Sequence, residues 1–421
     1  MEIIRSKELR DEFFEYKEIE EIGVVKKIIK EVAKYGDKAV RKYTKELDGV
    51  ELEEFDVKES EVKKAYGKIG EFGISTIKAV ADNISKFAQK QIEQFKEFEY
   101  EIEDGVVTGQ KVIPIERVGI YVPGGRFPLA SSLLMCAIPA KVAGVKEIVV
   151  CSPPSYNNSV HPLILVAADV VSVREIYKIG GAQAIGAMAY GTESIRMVDK
   201  IVGPGNKYVT YAKKDVYGRV GIDFIAGPTE LMIIADKEAN PLFIAFDILA
   251  QAEHDTEALP ILITDSLELA NAVKRDVARE LKRLKTKGVA LEALKKNGKI
   301  IMVKDIYEAI EIANKRAPEH LELQVSTPPE LYIKLLYNYG SLFIGEYATE
   351  VLGDYSSGLN HVLPTNGSAR YNGGLSVRDF LKLQTTLKVT QKGLIAIGPR
   401  AKHFSELEGL DGHAKSIDVR L

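Results

Sequence analysis

The hydrophobic and polar positions divide this chain into two regions with different periodicities. From residue 20 to 98, apolar residues recur every three or four positions among Lys and Glu, as in I-G-V-V-K-K-I-I-K-E-V-A-K-Y. This spacing predicts several amphipathic helices with charged outer faces. After Gly105, short apolar runs alternate with helical patterns and are separated by glycine turns. That alternation predicts parallel α/β sheets, because parallel strands are joined by crossover helices.

Two successive α/β runs follow from this pattern. The first has predicted strands at 106–115, 145–151, 172–177 and 200–202 and in R-V-G-I-Y-V, with helices at 129–143, 163–171 and 207–216. The second has predicted strands at 231–235, 260–264, 299–303 and 341–345, with helices at 267–284, 306–316 and 331–339. A Gly/Ser/Asn-rich stretch at 353–374 predicts a functional or disordered loop. The segment from Ser376 is short and mixed in pattern.

The predicted fold class is α/β, with two Rossmann-like parallel-sheet domains, one nested in the other, and helical N-terminal and small C-terminal extensions. The expected limits are 1–16 for an N-terminal extension, 17–120 and 229–375 for a discontinuous first domain, 121–228 for a second, nucleotide-binding domain, and 376–421 for a small C-terminal domain.

Composition narrows the class of protein. The 421 residues are 46% hydrophobic and 28% charged, as in soluble globular proteins, and the net charge of −3 argues against a nucleic-acid partner. No uncharged apolar stretch reaches the ~18 residues that a membrane helix needs, and the charged N-terminus is not that of a signal peptide. Two cysteines, Cys136 and Cys151, fit a reducing cytosol and look like core residues. The alternative, a catalytic thiol, lacks a nearby His or basic residue in the sequence.

Two pairs of polar residues are candidates for chemistry. Gln251 and His254 in Q-A-E-H share one helix face, where they could hold a metal, a polar ligand or each other; a plain polar helix end is the alternative. Glu319 and His320 follow Pro318 at a turn between helix and strand. Their side chains should diverge and reach different points of one substrate, unless both are simply solvated.

Further ligands for zinc are available elsewhere in the chain. Asp354, in its glycine-rich loop, offers a carboxylate, and His413 offers an imidazole, although a turn-forming Asp and an exposed tail residue are the favoured explanations when each is taken alone. The turn G-P-G-N at 203–206 lacks the third glycine of the dinucleotide fingerprint. A glycine turn before a helix can still receive phosphate, so its support for a nucleotide is weak.

Taken together, the motifs resemble those of the histidinol dehydrogenase family. The segments that carry the resemblance are V-G-I-Y-V-P-G-G, I-P-A-K-V-A-G-V, I-G-G-A-Q-A-I-G-A-M-A-Y-G-T-E, K-I-V-G-P-G-N, I-A-G-P-T-E, Q-A-E-H-D, R-A-P-E-H-L-E, G-D-Y-S-S-G-L-N-H-V-L-P-T and E-G-L-D-G-H. They span residues 118–413 in the family's order, which makes the resemblance specific.

The resemblance implies a role for individual positions. One Zn2+ per subunit would be bound by Gln251, His254, Asp354 and His413, the last donated by the partner subunit of a domain-exchanged homodimer. Glu319 and His320 would be catalytic. Substrate would contact Thr229, Gln251, His254, His320, Asp354, Glu408 and His413, and NAD+ would lie near Tyr121, Gln183 and Asn206. Thr229 stands where the family usually has serine, which keeps a hydroxyl but adds a methyl group.

The implied reaction is the oxidation of L-histidinol to L-histidine through L-histidinal by a cytoplasmic enzyme that uses two NAD+ in turn. In this scheme His320 takes the alcohol proton and Glu319 activates water on the aldehyde. Three alternatives stay open from sequence: a relative of the same fold that oxidises another small polar alcohol, a zinc hydrolase in which Glu319 activates a metal-bound water, and a purely structural paralogue.

Overall fold

The computed structural model describes residues 1–16, 18, 20–124, 127–154 and 157–421. The strands are β1 (Glu2–Arg5), β2 (Phe98–Glu103), β3 (Val106–Pro114), β4 (Arg117–Tyr121), β5 (Glu147–Ser152), β6 (Glu175–Lys178), β7 (Lys200–Val202), β8 (Gly221–Ile222), β9 (Glu230–Ala235), β10 (Leu259–Thr264), β11 (Lys299–Met302), β12 (His320–Gln324), β13 (Ser341–Ile344) and β14 (Leu381–Val389). The helices are α1 (Gly23–Tyr35), α2 (Asp37–Tyr43), α3 (Glu59–Ile92), α4 (Ala130–Ala143), α5 (Pro162–Val170), α6 (Gly181–Tyr190), α7 (Lys207–Val216), α8 (Pro241–His254), α9 (Leu267–Glu280), α10 (Lys287–Lys296), α11 (Ile306–Arg316), α12 (Glu330–Ile333), α13 (Glu350–Tyr355), α14 (Gln391–Leu407) and α15 (Asp411–Asp418).

The first sheet has six parallel strands in the order β1-β11-β10-β9-β12-β13. Its central strands are apolar on both faces because helices cover both: α8, α9 and α10 pack on one side and α11 and α12 on the other. The N-terminal residues, expected to form an extension, instead supply the edge strand of this sheet, with Glu2 opposite Lys299. A four-residue strand is too short to be distinguished by periodicity alone.

The second sheet has five parallel strands in the order β6-β5-β4-β7-β8. Helices α3, α4 and α5 cover one face, and α1, α2, α6 and α7 cover the other. Strand β4 and helices α1–α3 therefore pack with this sheet, although their expected place was the first domain. Helical periodicity shows which face of a helix is buried but not which sheet buries it. Counted by their order along the chain, the five strands of this sheet lie in the order 3-2-1-4-5. The order therefore reverses between β4 and β7, which is the topological switch point.

A third, antiparallel sheet has the order β14-β3-β2. Strand β14 pairs along the whole of β3, and α14 and α15 pack against each other beyond it. The C-terminal segment is thus more regular than its mixed pattern indicates. Strand β2 is exposed throughout, and Phe98, Tyr100 and Ile102 on it are all more than half exposed. This unpaired, apolar edge belongs to a projecting arm made of β2, β3, β14, α14 and α15.

Most other predicted elements are confirmed to within three residues at each end. The predicted helix at 306–316 coincides with α11, whereas the predicted helix at 331–339 contains only the short α12. Asp354, expected in a polar loop, lies on α13. Cys136 and Cys151 are free and buried, which confirms them as core residues. Within the described ranges, no helix combines the length and the apolar character that crossing a bilayer requires.

Candidate active site

Helix α8 presents Gln251 and His254 at its C-terminal end. The helix begins where the Asn240 side chain accepts hydrogen bonds from the Leu242 and Phe243 amides at 2.9 and 3.4 Å, with Pro241 in the first turn. The predicted helical spacing of the pair is therefore confirmed. Gln251 is buried, while the His254 side chain is 42% exposed. The pair therefore extends from the protein interior to the surface.

Helix α13 brings Asp354 to the same place. Its Oδ2 atom lies 3.8 Å from His254 Nε2, and its Oδ1 atom lies 3.8 Å from His320 Nε2. Both distances are too long for a hydrogen bond. The carboxylate therefore faces two imidazole nitrogens across a gap, which is room for an ion or a ligand atom rather than a closed polar network.

A chain of hydrogen bonds links Gln251 to Glu319 through Thr229. The Gln251 amide donates to Thr229 Oγ1 at 2.7 Å, and the Thr229 hydroxyl donates to Glu319 Oε2 at 2.6 Å. Thr229 thus keeps the hydroxyl function and uses it between two site residues. Because Gln251 Nε2 is engaged, its Oε1 points elsewhere, and this buried oxygen has no hydrogen-bond partner among the described residues.

His320 is buried and has a defined tautomer. It begins β12, and its Nδ1 atom lies 3.1 Å from the carbonyl oxygen of Glu230. A carbonyl only accepts, so Nδ1 carries the proton and Nε2 holds the lone pair. Burial lowers the pKa of His320, against the opposing effect of Asp354. The ring is therefore a neutral base whose Nε2 is buried and has no hydrogen-bond partner in the described part of the chain.

Glu319 is also buried, so the alternative of two solvated side chains is wrong for this pair. Burial raises the pKa of Glu319 well above its usual range, and the hydrogen bonds from Thr229 and from the Glu230 amide at 2.8 Å offset part of that rise. Its Oε2 atom is 3.6 Å from His320 Nδ1, so the two residues are close without forming a hydrogen-bonded dyad. Each has its own hydrogen-bond partner, although the two side chains lie closer together than the predicted divergence implies.

Three residues that sequence reasoning did not single out complete the surroundings. Glu230 aligns His320 through its carbonyl, and its carboxylate accepts a hydrogen bond from the buried Arg316 at 2.7 Å. His361 Nδ1 lies 2.9 Å from the Asp354 carbonyl, and His361 Nε2 lies 3.1 Å from the Ser132 hydroxyl on α4. Both Glu230 and His361 fall inside the motifs I-A-G-P-T-E and G-L-N-H, which are the only sequence features that point to them.

Two of the four expected zinc ligands, His254 and Asp354, face each other within this chain, and a third, Gln251, lies one helical turn from His254 on α8. An amide oxygen, an imidazole nitrogen and a carboxylate are suitable zinc donors, and ligands sharing one tetrahedral zinc lie roughly 3.3–3.6 Å apart. The 3.8 Å gap between His254 and Asp354 and the partnerless Gln251 Oε1 fit such an ion with a small adjustment. The described residues contain no group of three or more His, Cys, Asp or Glu side chains suited to a metal.

The fourth expected ligand and the Glu408 substrate contact lie elsewhere. Glu408 caps the end of α14 and His413 lies on α15, and both side chains are exposed. No hydrogen bond or ion pair joins His413 to Gln251, His254 or Asp354 in the described chain. Within the arm that carries them, α14 is fastened to the β2–β3 hairpin by ion pairs from Arg400 and Lys392 to two acidic residues, Glu103 and Asp104.

The three expected nucleotide contacts lie at the carboxyl edge of the second sheet. Tyr121 ends β4, and its hydroxyl accepts a hydrogen bond from the Gly181 amide at 3.1 Å. Gln183 is fully buried on α6, and Asn206 caps α7 by accepting from the Tyr208 and Val209 amides at 3.0 and 3.2 Å.

Gly203 closes the β7 turn at the switch point with φ +112°. A Cβ there would lie 2.2 Å from the Tyr121 carbonyl oxygen, so only glycine fits. The Gly125 and Arg126 part of the P-G-G-R turn lies outside the described residues.

Comparisons with known proteins agree with these features. The family model described as histidinol dehydrogenase matches residues 13–421. A histidinol dehydrogenase of Clostridium acetobutylicum is 48% identical over 399 residues, which are 95% of this chain and 92% of the relative. One from Methanocaldococcus jannaschii is 46% identical over 400 residues, covering 95% and 92%. The crystal structure of histidinol dehydrogenase from Elizabethkingia anophelis is 38% identical, with a TM-score of 0.92 over 97% of this chain and 95% of that one.

Proposed function

This chain belongs to the histidinol dehydrogenase family and is an oxidoreductase, and we propose that it carries out the zinc-dependent, four-electron oxidation of L-histidinol to L-histidine through L-histidinal with two NAD+. The single observation that supports this most directly is the arrangement of His320 and Glu319. Two buried groups of different chemistry, each oriented by its own hydrogen bonds, adjoin a set of zinc donors. Two successive oxidations need two such proton acceptors.

Alcohol oxidation uses His320. Its Nε2 atom carries the lone pair, and burial keeps the ring neutral, so it can take the proton of the substrate hydroxyl as hydride leaves the carbon. When bound, zinc would anchor the imidazole and amino nitrogens of the substrate, and nicotinamide would accept the hydrides. The carboxylates of Asp354 and Glu408 would attract the cationic substrate to the site, before its amino group loses a proton to solvent and the nitrogen becomes free to bind the ion.

Aldehyde oxidation needs a water molecule and a second base. Glu319 has a pKa that burial raises well above the usual carboxyl value, so its carboxylate is a stronger base than one in water. Thr229 and the Glu230 amide hold Oε2, which fixes the direction of the carboxyl group. Glu319 takes a proton from water as the oxygen adds to the aldehyde. His320, protonated in the first oxidation, returns that proton to the aldehyde oxygen as the hydrate forms. It then takes a hydroxyl proton of the hydrate as the second hydride leaves the carbon, which gives the carboxylic acid.

A homodimer would complete the site. Glu408 and His413 are exposed on the projecting arm, whose apolar edge at β2 is uncovered in one chain. Placing this arm on a second copy would cover that edge and bring the partner's His413 to Gln251, His254 and Asp354. The free, buried cysteines support a reducing cytoplasm as the location.

The test is NADH formation from L-histidinol, with and without a chelator. We expect two NADH per L-histidinol oxidised, loss of activity after metal removal, and recovery on adding Zn2+. His320→Asn should slow turnover by about 10²–10⁴-fold. His161→Asn is a matched control, because His161 caps α5 by accepting from the Leu163 amide and Asn is a preferred cap. A zinc hydrolase would form no NADH, and a dehydrogenase for another alcohol would leave L-histidinol unoxidised.

A further inference from the structure

The nucleotide side of the site has an unusual feature at the end of its second strand. In folds with this strand order, an acidic residue about 20 residues after the first glycine turn accepts the ribose 2′-hydroxyl of the adenosine half. Here the corresponding strand, β5, ends in Cys151 and Ser152 and continues into Pro153 and Pro154, with no acidic residue. The usual ribose acceptor is therefore missing from its usual place.

Asp48 occupies that place from another part of the chain. It ends the single π-helical turn Thr44–Asp48 that follows α2. A Cβ added to Gly180, in the turn after β6, would lie 3.2 Å from Asp48 Oδ1 and 2.7 Å from Pro153 Cβ. The Asp48 carboxylate, the end of β5 and the turn after β6 thus meet at one point. This is the side of β4 on which the adenosine half of a dinucleotide lies in such sheets.

The polar surroundings of Asp48 leave it free to accept a further hydrogen bond. Gln183 donates to Asp48 Oδ2 at 3.2 Å, and Oδ1 has no donor within the described ranges. No Lys, Arg or His in those ranges forms an ion pair with it. Burial raises the pKa of Asp48 to about 6, with the Gln183 hydrogen bond opposing the rise. At neutral pH it is a half-buried carboxylate held by one neutral donor.

We propose that Asp48 accepts a hydrogen bond from the adenosine ribose hydroxyls of the dinucleotide and makes the enzyme select NAD+ over NADP+. This inference rests on the proposed function, since it assumes a dinucleotide at Tyr121, Gln183 and Asn206. A 2′-phosphate would bring two negative charges against the carboxylate, whereas a 2′-hydroxyl satisfies Oδ1. Gln183 fixes the orientation of the Asp48 carboxylate, which links a residue of α6 to the choice of cofactor.

The experiment compares Asp48→Asn and Asp48→Ser with the wild type. Asp48→Asn should raise the KM for NAD+ about fivefold to tenfold with kcat nearly unchanged, because the amide keeps an acceptor oxygen but loses the charge that strengthens the hydrogen bond. Asp48→Ser should increase kcat/KM for NADP+, a gain that a misfolded protein cannot give. Glu46→Gln is the matched control, since Glu46 is an exposed acid on the same turn and its removal should change neither value. ADP-ribose should inhibit Asp48→Asn more weakly than the wild type.

Three kinetic outcomes overturn the inference: a wild type that uses NADP+ as well as NAD+, an unchanged KM for NAD+ in Asp48→Asn, or an equal change in KM from Glu46→Gln. Unchanged inhibition of Asp48→Asn by ADP-ribose also overturns it, because that result would place Asp48 at the nicotinamide half of the dinucleotide. NADH titration by fluorescence separates this inference from the proposed function. If wild type binds NADH and Asp48→Asn binds it more weakly, yet L-histidinol gives no NADH, the proposed function fails and the Asp48 contact stands. If wild type oxidises L-histidinol and Asp48→Asn behaves like it, the Asp48 contact fails.

Discussion

Replacing Lys213 with Met should loosen the β7–α7 turn on the proposed nucleotide side of the candidate active site. Lys213 lies on the buried face of α7 and forms an ion pair with Asp223, with side chains 4% and 1% exposed. The two charged groups hold opposite ends of one residue: Lys213 donates to the Gly203 carbonyl at 2.9 Å, and Asp223 accepts from the Gly203 amide at 2.8 Å. This clamp sets the turn that leads to Asn206.

The expected cost follows from the burial of the pair. Removing one member of a buried ion pair leaves an uncompensated charge and costs about 3–5 kcal/mol. In Lys213→Met the carboxylate of Asp223 would be that charge. Adding Asp223→Asn removes the charge and keeps an oxygen that can accept from the Gly203 amide, so the double variant should lose only about 1–3 kcal/mol.

Hydrogen exchange of peptides covering residues 200–216 measures this cost locally, because it reports the opening free energy of individual segments. A loss of about 3 kcal/mol corresponds to amide exchange faster by roughly 100-fold or more. Lys213→Met should also raise the KM for NAD+. Lys214→Met is the matched control, since Lys214 is the next residue and is exposed. A change below about tenfold in Lys213→Met, or a double variant no better than the single one, would refute the reasoning.

Three other predictions concern the reaction and its assembly. His320→Asn should slow both oxidations by about 10²–10⁴-fold, whereas Glu319→Gln should slow aldehyde oxidation more than alcohol oxidation in single-turnover assays of each step; equal losses would contradict the assignment of water activation. Mixing His413→Ala with Gln251→Ala chains should restore roughly a quarter of wild-type activity, because about half of the dimers would be mixed and each mixed dimer would have one intact site. A verified mixed dimer without activity would argue that each site lies within a single chain. The KM for NAD+ should rise as pH falls through about 6, because protonation removes the charge of Asp48. The neighbouring Tyr121, whose pKa is raised to about 12, stays neutral over this range. A flat KM between pH 7 and about 5 would count against the prediction.

The local elements of this fold are largely predictable from sequence. Buried parallel strands appear as continuous apolar runs, and α11 shows a capping Asp305 followed by helical periodicity that ends at Arg316. What sequence does not show is pairing over long distances. The edge position of β1, the pairing of β14 with β3 and the packing of α1–α3 on the second sheet all depend on partners far away in the chain.

Some features of the candidate site are likewise predictable from the sequence, and others are not. The helical spacing of Gln251 and His254 is visible in the sequence, as is the turn before His320. Their burial is not, because it follows from neighbouring strands and helices that assemble only in the fold. The tautomer of His320 needs the carbonyl of Glu230, which no motif identifies as a partner. The resemblance to a family supplied the residue roles, and the structure supplies the hydrogen bonds that orient them.

The pairing of β1 with β11 has a consequence for how the chain folds during synthesis. Residues Glu2–Arg5 leave the ribosome almost 300 residues before their partner Lys299–Met302. At about 5–20 residues per second, β1 waits roughly 15–60 s for a place in its sheet. The second sheet, complete once Gly221–Ile222 has emerged, can close in that interval around helices made before it. The order of translation therefore favours folding of the inserted unit first, with the outer sheet closing around both ends of an already folded insert.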